Sequence, residues 1–189
     1  MKVAIFASGA GSNALNLIQY SKNHKSIEIV CILTNNANAG VLKHGEQSNI
    51  DTLIFSKSEF LESHKIIEYL ANREVELIVL AGFLWLIPEA LIRKFTNRII
   101  NIHPSLLPKF GGRGMYGHHV HEAVEAAQES ESGITVHLVN EHYDEGAILF
   151  QAKENIQGLK ANEIEQKVRS LELAHYPTVV HNYIQKLNK

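Results

Sequence analysis

Short apolar runs alternate with amphipathic stretches through the first hundred residues. Val3–Ala7, Ile27–Leu33, Thr52–Phe55, Leu77–Ala81 and Ile99–Ile102 are almost continuously apolar, the pattern of strands covered on both faces. Between them, Asn13–Lys22, Gly40–Ser48, Lys57–Asn72 and Pro88–Phe95 read as helices that serve as crossovers joining parallel strands. This alternation predicts an α/β fold built on a doubly wound, mostly parallel open sheet. Farther on, Val120, Ala123, Val124 and Ala127 fall on one face of a helix over Tyr116–Glu129. Ile134–Val139 and Ile148–Lys153, joined by the polar turn Asn140–Gly146, predict a β-hairpin at one side of the sheet. A terminal helix is expected over Ala161–Leu187, with a break or kink near Tyr176 because Pro177 lacks the donor a helix interior needs. No repeat, low-complexity tract or linker interrupts the pattern, so one domain over residues 1–189 is expected.

Composition narrows the function. With 45% hydrophobic residues, a chain of this length can bury about 70% of the surface its unfolded form exposes, without staples. One cysteine excludes a disulfide scaffold, and Cys31, inside an apolar run, reads as a small buried hydrophobe rather than a nucleophile. The 18 Lys and Arg against 20 Asp and Glu are scattered, whereas a phosphate-backbone binder gathers positive charge, so no nucleic-acid partner is expected. The longest apolar stretch, Leu77–Ile87, is well short of the ~20 residues that span a bilayer. Met1–Ala7 runs straight into a glycine turn, as a first strand does and a signal peptide does not. A cytoplasmic setting with no membrane partner is expected.

In open α/β sheets ligands sit beyond the carboxyl ends of the strands, so the segments after each strand carry the candidate chemistry. The first is Ser8-Gly9-Ala10-Gly11-Ser12-Asn13, whose glycines allow close approach and whose helix start favours an anion. Gly9, Gly11 and Ala14 also satisfy the dinucleotide fingerprint, but that fold wants an acidic residue about 20 positions on, and the chain offers Thr34, Asn35 and Asn36. A single phosphate is therefore favoured, with a plain tight turn capped by Ser12 or Asn13 as the alternative. At the fifth strand, Asn101 and His103 project from one side, ~7 Å apart, and Pro104 keeps His103 out of the helical region. Asp144 in the hairpin turn is the third candidate, although Asp before Glu-Gly is also ordinary turn chemistry. The apolar loop Leu80–Ile87 suits a flat ring and equally suits core packing. His118, His121 and Glu122 lack the order of a zinc-binding helix and read as a solvated face, so no metal is expected. A hydrolytic triad of Ser105, His103 and Asp144 is disfavoured, because Ser105 follows a proline without the strained turn such a nucleophile uses.

Four stretches taken together carry a resemblance: Ala7-Ser8-Gly9-x-Gly11-Ser12-Asn13, Leu80-Ala81-Gly82-Phe83, Asn101-Ile102-His103-Pro104-Ser105-Leu106-Leu107-Pro108, and Val136-His137 with Asp144-x-Gly146. Over essentially its whole length the chain resembles the folate-dependent formyltransferases, and among them the phosphoribosylglycinamide formyltransferases. The Asn-x-His-Pro-Ser-Leu-Leu-Pro stretch is the specific part; the glycine loop alone is not. The resemblance implies a phosphate-binding half at residues 1–100 and a catalytic, folate-binding half at residues 101–189. It also implies transfer of a formyl group from the co-substrate 10-formyltetrahydrofolate to the amine of glycinamide ribonucleotide, the third step of purine synthesis, without a metal. By the same resemblance Asn101, His103 and Asp144 match the catalytic residues, Gly11, Ser12 and Asn13 the loop that holds the ribonucleotide phosphate, and Glu172 a glutamate that contacts the ribonucleotide. Leu84, Trp85, Leu86 and Ile87, with Asn140, Glu141, His142 and Tyr143, match segments whose backbone clasps the pterin ring. A monomer or weak homodimer is expected.

In the implied reaction an amine attacks the formyl carbon and an oxyanion develops beside a cationic nitrogen. Asn101 and a protonated His103 are expected to donate to that oxyanion, at about 3–4 kcal/mol per well-placed donor. Asp144 is expected to raise the pKa of His103 and to relay the amine's proton. The glycine-rich segment Phe110–Gly117 departs from many relatives and is expected to act as a mobile lid, and Trp85 stands where a basic residue is common. A formyl-folate hydrolase, in which water replaces the amine, is chemically close. A non-catalytic nucleotide-binding module would keep the glycine loop and have no use for Asn101, His103 and Asp144 together.

Overall fold

A computed structural model describes residues 1–188. Seven strands form one sheet: β1 (Lys2–Phe6), β2 (Glu28–Thr34), β3 (Asp51–Ile54), β4 (Leu77–Leu80), β5 (Ile99–His103), β6 (Glu131–Leu138) and β7 (Ile148–Asn155), in the order β3-β2-β1-β4-β5-β6-β7. The first five strands are parallel, and β6 and β7 add an antiparallel hairpin beside β5. Seven helices join them: α1 (Ser12–Ser21), α2 (Val41–Gln47), α3 (Lys57–Glu62), α4 (His64–Asn72), α5 (Glu89–Lys94), α6 (His118–Ala126) and α7 (Ala161–Leu187). This is the doubly wound α/β sheet that the alternation predicts.

Both faces of the sheet are covered, which is why its strands read as unbroken apolar runs. Val3 and Ile5 join Leu17, Ile18, Val120, Val180 and Ile184 on the face covered by α1, α6 and α7. Their neighbours Ala4 and Phe6 join Phe60, Leu70 and Leu91 on the face covered by α3, α4 and α5. From β1 the chain runs outward through β2 to β3, then returns past β1 to β4 and β5. The winding direction reverses between β1 and β4, and beyond their carboxyl ends such a sheet opens a crevice.

Two expectations fail. The helix expected over Lys57–Asn72 is broken at Ser63, which takes φ 61° and buries its hydroxyl against the Phe60 carbonyl at 2.7 Å. Conversely α7 runs without the break expected near Tyr176. Pro177 leaves the carbonyl of Leu173 without its helical donor, and the side chain of Asn16 on α1 supplies one instead, Nδ2 donating to the Leu173 oxygen at 2.7 Å. The fully buried Tyr176 then reaches across to donate its hydroxyl to the Leu80 carbonyl at 2.8 Å. Among the described residues no helix is long and apolar enough to cross a membrane.

Candidate active site

Above β1 and β4 lies a cavity of about 740 Å3, walled by the loops after β1, β4 and β5, the hairpin turn, and parts of α6 and α7. Its β1 end is the glycine loop. Ser8 ties this loop to the one after β4: its N–H donates to the Gly82 carbonyl at 3.0 Å and its hydroxyl accepts from the Leu84 N–H at 3.1 Å. Gly11 has φ 79°, and a Cβ there would stand 2.7 Å from that of Val41, so the turn admits only glycine. The first turn of α1 leaves its N–H groups facing outward, the general condition for holding an anion. Asn13 Nδ2 donates to Glu172 Oε2 at 2.8 Å, while its Oδ1 is buried without a partner among the described residues. Burial pushes the Glu172 carboxyl above its usual range, against the pull of Asn13 and the Arg169 charge. Gly11, Ser12, Asn13 and Glu172 thus line one end of the cavity together.

The other end is built by strand register. Antiparallel pairing sets Asn101 opposite His137 and His103 opposite Thr135. Asn101 Nδ2 donates to His137 Nε2 at 3.2 Å, and the proton on His137 Nδ1 goes to the Leu138 carbonyl at 2.9 Å. Asp144, at φ 57° in the turn, brings its carboxylate between two rings: Oδ2 is 3.5 Å from His103 Nδ1 and Oδ1 is 3.5 Å from His137 Nε2. The N–H of Gly112 donates to Oδ2 at 2.9 Å. Burial alone would raise the Asp144 pKa, but His137, His103 and the Gly112 N–H together hold the carboxyl below its usual value.

For His103, Asp144 pulls the pKa upward as expected, but burial works against it. Its pKa is lowered, because burial at 4% exposure outweighs the attraction of Asp144 and of the Phe110 carbonyl, and His137 adds to the lowering. The Phe110 carbonyl can only accept, so His103 Nε2 carries a proton and donates it at 2.7 Å, while Nδ1 faces the Asp144 carboxylate, which stabilises a second proton there. The start of the glycine-rich loop braces the site, since Phe110 and Gly112 hold the His103 and Asp144 side chains.

The remaining candidates divide. Leu84, Trp85, Leu86, Ile87, Asn140, His142 and Tyr143 line the cavity, and Glu141 does not, its side chain being turned to solvent. Leu84 and Leu86 keep about half their surface exposed, Ile87 is buried, and Trp85 leans on Phe55, Phe60 and Phe83 with ring centroids 6.1, 5.6 and 6.3 Å away. Ser105 is buried and donates to the Lys109 carbonyl at 2.7 Å, which removes it as a nucleophile for His103. Cys31 is buried and its thiol is pushed up to about 12. His121 corrects the reading of its helix as a solvated face: it is 3% exposed, lines the cavity, and its Nδ1 has no partner among the described residues. Burial lowers its pKa, so it offers a neutral ring to whatever fills the cavity. Among the described residues no three His, Cys, Asp or Glu side chains gather as a metal site.

The formyl transferase family model matches residues 1–180. The chain belongs to the formyl transferase family. Among curated members, a phosphoribosylglycinamide formyltransferase of Haemophilus influenzae is 37% identical over 185 residues, 95% of this chain and 85% of that protein. The chloroplastic phosphoribosylglycinamide formyltransferase of Vigna unguiculata is 41% identical over 155 residues, 79% of this chain. This chain spans 50% of the Vigna protein's length and 54% of that of its Arabidopsis thaliana counterpart. The solved phosphoribosylglycinamide formyltransferase of Brucella melitensis superposes with a TM-score of 0.87 at 35% identity, covering 97% of this chain and 95% of that one.

Proposed function

We propose that this formyl transferase moves the formyl group of 10-formyltetrahydrofolate onto the amine of glycinamide ribonucleotide, with no metal. The observation that carries the reading is one cavity holding a glycine loop suited to a phosphate at one end and a carboxylate flanked by two imidazoles at the other. The ribonucleotide's phosphate sits on Gly11, Ser12 and Asn13, and Glu172 accepts from its ribose hydroxyls. The pterin is clasped by backbone of Leu84–Ile87 and of Asn140, His142 and Tyr143. The formyl carbon then meets the amine beside Asn101.

As the amine nitrogen bonds to the formyl carbon, the carbonyl electron pair moves to oxygen, and Asn101 Nδ2 turns from His137 to donate to it. One such donor contributes about 3–4 kcal/mol. The cationic nitrogen gives its proton to the His103 Nδ1 and Asp144 pair, where the new imidazolium is stabilised by the carboxylate it faces. Collapse of the oxyanion breaks the bond to the folate nitrogen, which takes that proton and leaves as tetrahydrofolate. All of these groups come from one chain and one domain, so a monomer or weak homodimer suffices, in the cytoplasm.

The test follows tetrahydrofolate release from 10-formyltetrahydrofolate with and without glycinamide ribonucleotide. Release that requires the ribonucleotide is expected. Release without it makes the protein a hydrolase, and none in either case makes it a binding module.

A further inference from the structure

Resting on the ribonucleotide reading above, we propose that His44 is a positioning residue for the phosphate loop, holding the Ala10 carbonyl so that the Gly11 N–H points at the substrate's phosphate. His44 sits in α2, behind the loop and outside the cavity wall. The Ala10 carbonyl can only accept, so at 3.1 Å His44 Nε2 carries the proton and donates it. One peptide earlier, the Gly9 carbonyl accepts from the Val41 N–H at 3.2 Å. In a planar trans peptide the C=O and the following N–H point to opposite sides. Turning the carbonyls of Gly9 and Ala10 toward α2 therefore turns the N–H groups of Ala10 and Gly11 the other way, to the side where the loop lines the cavity. Neither N–H has an acceptor among the described residues. Successive N–H groups aimed at one point make a concavity for an anion.

The first of these peptides is held by main chain, the second by His44. Gly11 has the freedom that lets the Ala10–Gly11 peptide turn over. Turned over, it would send the Gly11 N–H toward α2 and present the Ala10 oxygen to the phosphate, lone pair against anion. No donor other than His44 reaches the Ala10 oxygen among the described residues. The ring's other nitrogen, Nδ1, is buried and unpartnered, so this bond is its whole polar engagement there. Glutamine, whose terminal amide also carries N–H donors at the end of a side chain of similar reach, is the conservative replacement.

The test measures binding of ribose 5-phosphate, inorganic phosphate and 10-formyltetrahydrofolate to the wild type, His44→Ala and His44→Gln, with steady-state kinetics alongside. His44→Ala is expected to weaken ribose 5-phosphate by about fivefold or more and to raise the ribonucleotide KM similarly, with kcat changed by less than about twofold and folate affinity preserved. His44→Gln is expected to recover most of the loss. Unchanged ribose 5-phosphate binding in His44→Ala, equal loss of both ligands, or no recovery in His44→Gln overturns the proposal. A wild type that binds neither phosphate probe sinks the ribonucleotide reading and this inference with it, whereas phosphate binding lost on His44→Ala supports the inference even if no formyl transfer is found.

Discussion

The two ends of the cavity are built from different material. At the β1 end the donors are main-chain N–H groups, aimed by glycine dihedrals and by packing on α2. At the β5–β6 end the working groups are side chains from three separate stretches of chain, with one carboxylate held between two imidazoles. Backbone dipoles need no proton and carry no net charge, so pH reaches this end through the side chains beside the loop, Glu172 among them. The transfer end is the reverse. Asn101, His103 and His137 stand on paired strands, and the groups at its centre, His103 and Asp144, titrate.

The largest effects should fall on the transfer end. Asn101→Ala, His103→Ala and Asp144→Asn are each expected to lower kcat by at least ~10²-fold while the ribonucleotide KM stays near wild type, measured by steady-state kinetics. A near-normal kcat in His103→Ala would remove that ring from the mechanism. Gly11→Ala makes the complementary test, since it places a side chain at φ 79° and against Val41. It should raise the ribonucleotide KM by roughly tenfold or more, as expected from a left-handed strain of about 1–2 kcal/mol plus the collision, and spare folate affinity. Loss of both ligands together would mean that the two ends are not separable.

Smaller effects sharpen the contrast in protonation. Followed by NMR, the His103 ring should titrate below 6.5, and lower still in Asp144→Asn, because that carboxylate is what pulls the value up. The sign for stability follows. A ring that takes a proton less readily folded than unfolded costs stability as pH falls below 6.5, and Asp144, with its lowered pKa, contributes stability above the usual carboxylate range and loses it as pH falls through its folded value. A His103 titration above 6.5 would restore the protonated-donor role. The smallest effect concerns the glycine-rich loop. Amide exchange should find Gly112 and Met115, whose N–H groups donate to Asp144 and to the Gly112 carbonyl, already protected, and the other amides of residues 110–117 gaining protection only when folate is added. Slow exchange throughout, with or without folate, would mean that no part of it is a lid.

Much of this was legible in the chain before folding was considered, and the omissions have a common cause. Alternation of Ile134 and Val136 against Thr135 and His137 marks a polar face on the sixth strand, yet nothing local says that this face meets Asn101; only the antiparallel register with β5 does. His121 has the helical spacing of a solvated residue, and it is buried because its side of α6 turns into the cavity wall, toward Glu165 of α7 and His103. The helix runs on through Pro177, where Asn16, far away in sequence, satisfies the carbonyl that proline abandons. In each case a local rule was sound, and a partner from elsewhere in the chain changed its outcome.

Periodicity, glycine placement and the short motifs determined the winding of the sheet, the positions of its helices, and which polar residues stand beyond the strand ends, because those depend on backbone preference and on which side chains avoid water. Tertiary structure alone decided the charge states. Whether His103 is a cation or a base depends on how much water is excluded and on which groups surround the ring, and both are set when segments distant in sequence pack together.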